Sequence, residues 1–123
     1  MINVDIVSSS RYKIDRKKII QTVENALVTH GITGDVDVSV SIVGERKMIL
    51  LHKKYMHTAE VTDVLSFPLE GTEFPDGILH LGDIVICYPV AVKQAGVNNR
   101  LVDDEIDFLV DHSCLHLLGI HHD

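Results

Sequence analysis

"VDVSVSIV" (residues 36–43) alternates apolar and polar side chains until its last pair, a period of two that predicts a half-buried β-strand. Reading outward from it, "INVDIV" near the start alternates in the same way and predicts a first strand. Between the two, Asp15 is placed to cap a helix whose apolar residues Ile19, Ile20, Val23, Ala26 and Leu27 recur at helical spacing and which stops near Gly31. A second helix is expected over 45–55, and "TDVLSFPL" (62–69) reads as a strand ended by Pro68. "ILHLGDIVICY" (78–88) is a further strand, with Gly82 marking a bulge or a close backbone approach. "PVAVKQAG" suits a short helix with Pro89 at its first position. A last helix is expected from Asn99 to Leu118, with acids near its start and Gly119 as the residue that ends it. Helices and strands mingle without a strict β-α-β rhythm. The fold class is therefore α+β: a single domain over 1–123 with a mixed four-stranded sheet packed with helices.

Composition narrows the function. The chain has 123 residues and is 46% hydrophobic, as a globular domain is, and no segment is long and apolar enough to span a bilayer. The N-terminus lacks the basic-then-apolar layout of a secretion signal, and Cys87 and Cys114 sit among apolar neighbours, which favours buried free thiols over a disulfide. Both features point to the cytoplasm. A formal net charge of −7 argues against broad adhesion to nucleic acid, which depends on neutralising phosphates. A local basic patch survives that argument: "ERKMILLHKKYMH" (45–57) sets Arg46, Lys47, Lys53 and Lys54 against one acid, Glu45. A solvated helix face is the plain alternative.

The closing segment "HSCLHLLGIHHD" (112–123) carries the chemistry. His112 and His116 are four residues apart and so project from one helix face on successive turns. Gly119 permits a reversal that brings His122 back, giving three imidazoles for one tetrahedral metal with a fourth position open to water, the layout of catalytic zinc. His121, which should point elsewhere, is the weaker candidate for third ligand, and Cys114 faces the core. Ordinary surface histidines are the competing account; a purification tag is excluded by the leucines threaded through the segment. The spacing also resembles the metzincin motif H-E-x-x-H-x-x-G-x-x-H, but the glutamate that serves as base there is Ser113 here. Proteolysis loses its base while the metal site survives.

These segments together resemble a known family. "HSCLHLLGIHH" is similar to the H-G-x-L-H-L-x-G-[YF]-D-H signature of the YbeY endoribonucleases. "TDVLSFP" (62–68) and "LGDIVIC" (81–87) match two further hallmarks, and "LHKKYMH" (51–57) sits where members carry L-N-x-x-Y-R. The resemblance implies a metzincin-like histidine-bearing helix with His112, His116 and His122 holding one zinc or another divalent metal. It implies cleavage of single-stranded RNA in ribosomal RNA maturation, at the small-subunit 3′ end, and in ribosome quality control. A monomer delivered to its substrate by ribosomal proteins or an assembly factor, with no membrane partner, is the expected setting. Three departures stand out: Met56 replaces the family arginine, His121 replaces an aspartate, and the chain stops one residue after His122, which reads as a shortened C-terminus.

Beyond the ligands, Asp63 and Asp123 are candidates for a base or for anchoring a histidine's outer N–H; Asp63 could equally open a strand through a local turn. Lys53, Lys54 and Arg46 are the expected contacts to RNA phosphates, with Ser66 a further hydroxyl, and aromatic residues are too few to read bases. Two other functions are compatible with these residues: a non-catalytic metal-binding assembly factor, or a metal-dependent hydrolase of another substrate.

Overall fold

The computed structural model describes residues 1–58, 61–69 and 77–120. In chain order the elements are β1 (Ile2–Ser8), α1 (Arg16–Thr29), β2 (Val36–Val43), α2 (Glu45–Met56), β3 (Val64–Pro68), β4 (Leu79–Cys87), α3 (Tyr88–Val97) and α4 (Val102–Leu117). The strands form one four-stranded mixed sheet in the order β1-β2-β4-β3. The pairs β1–β2 and β2–β4 are parallel, whereas β3 runs antiparallel to β4 at the edge. The expected α+β domain with a mixed four-stranded sheet is what forms.

Strand alternation sorts the two faces. Val36, Val38, Val40 and Ile42 of β2 and Ile84 and Ile86 of β4 point to one side, where they pack with Ile19, Val23 and Leu27 of α1 and with Ile106, Val110, Cys114 and Leu117 of α4. On the other side Met48 of α2 packs with Leu65 of β3 and with Val85 and Cys87 of β4. The sheet thus lies between α1 and α4 on one face and α2 on the other. Burial of these aliphatic side chains, at about 25 cal/mol per Å² of apolar surface, is the main force holding the layers together.

Local chemistry sets the helix ends. Asp15 caps α1 by accepting the Lys18 N–H at 3.1 Å. Helices α1, α3 and α4 then end alike: the residue after the cap turns left-handed, and the next N–H reaches back to the third-last helical carbonyl. In α1 these residues are Gly31 (φ 79°) and Ile32, which donates to Leu27. In α4 they are Gly119 (φ 79°), as its sequence position suggested, and Ile120, which donates to Leu115.

The third case corrects an expectation. Asn99 does not begin α4. It adopts φ 56° and closes α3, with Arg100 N–H donating to Ala95 at 2.9 Å, so α4 starts at Val102. Asparagine suits both jobs, and here its tolerance of the left-handed conformation prevails. Pro89 likewise stands second in α3, after Tyr88.

Gly82 combines the two roles it was offered. The β2–β4 register shifts there, with Asp37 opposite His80 but Val38 opposite Gly82. Its φ is 145°, and a β-carbon would stand 2.4 Å from the Phe67 carbonyl oxygen and 2.9 Å from Leu117 Cδ2. Among the described residues, no helix is long and apolar enough to cross a membrane.

Candidate metal centre

The site is built on the last two turns of α4. One stripe of this helix, Ile106, Leu109, Val110, Ser113, Cys114 and Leu117, is buried, which fixes the helix's rotation and turns His112 and His116 outward. Both imidazoles are exposed, their ring centroids lie 4.8 Å apart, and the two Nε2 atoms are 3.3 Å apart. Two nitrogens of a tetrahedral ion bound at about 2.0–2.1 Å must lie about 3.3–3.4 Å apart, so the pair has the separation such an ion requires. Among the described residues no group of three histidine, cysteine or carboxylate side chains converges. His121, His122 and Asp123 lie outside the described residues.

The surroundings of the pair follow from the same stripe. Cys114, between the histidines in sequence, is fully buried, and loss of hydration pushes its thiol up to about 12. Cys87 is also buried and free, with its thiol raised mainly by burial. Ser113 is buried as well, and among the described residues its hydroxyl has no hydrogen-bond partner. Its side chain faces inward, away from the exposed imidazoles.

The other candidates are distributed along the edge strand β3. Leu117 packs at Gly82, which pairs with Pro68, so the C-terminal end of α4 meets the C-terminal end of β3. On the other face, Tyr55 of α2 touches Phe67 with ring centroids 4.9 Å apart, which brings Lys53 and Lys54 to that same end. Both lysines are exposed, and Lys54 Nζ lies 5.2 Å from the Tyr55 ring centroid. Arg46 is exposed at the opposite end of α2. Ser66 pairs with Ile84, whose side chain faces the α4 side, and so shares that face.

Asp63 stands at the far end of β3, where its carbonyl oxygen accepts the Cys87 N–H. Its carboxylate accepts the Val64 N–H at 2.8 Å and the Thr62 hydroxyl at 3.4 Å, the local turn that opens the strand. His80 of β4 contacts Asp37 at 3.4 Å, and Asp83 accepts from Ser39. A groove of about 770 Å³, lined among others by Tyr12, Ser39, Ser41, Lys47, Tyr55 and Asp83, occupies the sheet face away from α4.

Sequence reasoning missed two residues of this neighbourhood. Phe108 stacks near His112 (centroids 6.2 Å, planes 16° apart), and Arg100 lies over Phe108 at 4.8 Å. The spacing 108–112–116 could have revealed the ring column. Arg100 could not have been found, because its approach depends on the turn at Asn99.

A small α+β domain with a mixed four-stranded sheet and an exposed imidazole pair on α4 is the class of protein that this fold and site define. Comparison with known proteins narrows this. The family model for the endoribonuclease YbeY matches residues 5–123. A YbeY endoribonuclease of Thermobifida fusca is 34% identical over 98% of this chain and 81% of its own length, and one from Clavibacter michiganensis is 37% identical over 98% and 82%. A Thermotoga maritima protein solved in solution superposes with a TM-score of 0.61 at 27% identity, covering 100% of this chain and 75% of its own. The chain belongs to the YbeY family of endoribonucleases, which are hydrolases.

Proposed function

We propose that the chain is a zinc-dependent endoribonuclease acting on single-stranded RNA at the His112–His116 pair, with His122 as third ligand. Its place is ribosomal RNA maturation, at the small-subunit 3′ end, and ribosome quality control. It works in the cytoplasm as a monomer brought to RNA by ribosomal proteins or an assembly factor. The observation that carries the metal site is the 3.3 Å separation of the two Nε2 atoms.

When bound, zinc supplies a water of lowered pKa and polarises a phosphoryl oxygen. The protein's own residues do the rest. His112 and His116 hold their nitrogens in place because the buried stripe of α4 locks the helix against the sheet. Lys53 and Lys54 supply positive charge at the end of β3 nearest that helix terminus, and Ser66 offers a hydroxyl on the α4 side of the strand. A single strand suits this layout, since its backbone can adopt in-line geometry while duplex stacking resists it. Met56, where the family segment has arginine, is exposed at the end of α2 and contributes no charge there. That favours the second reading, a non-catalytic metal-binding assembly factor.

The deciding experiment compares matched single-stranded and duplex RNAs with wild type, His116→Ala and chelated protein. Metal-dependent internal cleavage of the single strand, lost in His116→Ala, is the expected result. Cleavage persisting in His116→Ala points to a contaminating nuclease, and none by fully metallated wild type, on RNA or ribosomal particles, selects the assembly factor.

A further inference from the structure

Phe108, His112 and His116 occupy successive turns on one exposed stripe of α4. The rings form a continuous column: Phe108 lies nearly parallel to His112, and His112 meets His116. Phe108 is 50% exposed, so part of its ring is open to a ligand. The Arg100 guanidinium closes the column from the other end, 4.8 Å from the Phe108 centroid. Its placement is built in. The left-handed turn at Asn99 delivers Arg100 to the first turns of α4, where Nη1 donates to Glu105 at 3.2 Å. The Glu105 carboxylate is buried (side chain 3% exposed) and also accepts from Asn98, whereas the Arg100 side chain is 40% exposed.

From this geometry we infer that Arg100, laid on Phe108, is a phosphate-binding subsite for the RNA strand that crosses the histidine pair, gripping a backbone phosphate one or two nucleotides from the one being cut. This rests on the nuclease reading above. An anchor for the α3–α4 junction needs only the contact to Glu105; it does not need a guanidinium stacked on an exposed ring beside the histidines. A guanidinium has five N–H donors in a planar fork, and Glu105 takes one of them through Nη1. The stacked, ion-paired fork is pre-oriented, so little rotamer freedom is lost when its outer edge meets a phosphate. Lys53, Lys54 and Arg46 lie on the helix across the sheet; Arg100 places a cation in the histidine column itself.

The test is fluorescence anisotropy of a labelled uridine octanucleotide at several salt concentrations, with zinc and with chelator. The proteins are wild type, Arg100→Gln, Phe108→Leu and the double variant Arg100→Gln/Glu105→Gln. Arg100→Gln should bind about tenfold more weakly, and its slope of log affinity against log salt should be shallower by about 0.7, one phosphate on a single strand. Phe108→Leu should weaken binding with an unchanged slope. If Arg100→Gln unfolds because Glu105 loses its ion pair, the double variant, with both charges gone, must show the same loss and the same slope change. Folded variants with wild-type affinity and slope overturn the subsite while leaving the nuclease reading intact. Wild type that binds and shows these shifts but never cleaves overturns the nuclease reading and leaves Arg100 as a phosphate contact beside the histidine pair. No binding by wild type overturns the subsite, while the nuclease reading stands or falls on the cleavage assay.

Discussion

Leu117 lies against the bare backbone of Gly82, so close that a β-carbon there would stand 2.9 Å from Leu117 Cδ2. Leu117 is the residue after His116, so the bulge in β4 sets how near the end of α4 sits to the sheet. Gly82→Ala should destabilise the fold by on the order of 3 kcal/mol, from strained φ and overpacking together. It should also weaken metal binding, since the helix end must move. Chemical denaturation and cobalt titration check both; wild-type stability in this variant would show that the backbone has room the structure does not grant it.

The histidine pair should bind one divalent ion per chain. Removing one of three ligands leaves a poor site, so His112→Ala and His116→Ala should each abolish stoichiometric zinc in elemental analysis. His121→Ala should matter little. Metal lost in His121→Ala and kept in His122→Ala would reassign the third ligand.

Ser113 offers a stability gain. Its buried hydroxyl has no partner among the described residues, so its desolvation is uncompensated. Ser113→Ala removes that cost without opening a large cavity and should raise stability by about 1 kcal/mol, seen as a higher Tm. A lowered Tm would mean that the hydroxyl is hydrogen-bonded in solution.

The thiols make a prediction about pH. Burial holds Cys114 protonated up to about 12, well above the ordinary 9.0. Below pH 9 the thiol is protonated in both folded and unfolded chains, so it leaves stability unchanged there. Between about 9 and 12 only the unfolded chain ionises, so stability should fall as pH rises through that window. Cys114→Ala should flatten this alkaline decline. At neutral pH both thiols should resist a thiol-reactive dye until denaturant is added; rapid labelling of native protein would contradict their burial.

Most elements were legible in the sequence because their signals are local. The alternation of 36–43, the cap at Asp15 and the glycine after α4 each act within a few residues, and the structure keeps all three. The pairing of His112 with His116 was legible for the same reason, since four residues on a helix fix neighbours on one face. Asn99 shows where such reading stops. Its residue type fits a helix start and a helix end equally, and in the fold it takes the second, left-handed with the next N–H closing back on Ala95.

What the sequence determined by itself, then, was which short stretches bend, alternate or repeat, and which side chains share a helix face. Energies that depend on a few neighbouring residues were sufficient for that. The tertiary structure alone decided that β3 lies at the antiparallel edge, that Lys53 and Lys54 share an end of it with the histidine helix, and that Arg100 lies on Phe108. Those relationships join residues on different elements. They exist because two helical layers must cover both apolar faces of one sheet, a condition no single segment can meet alone.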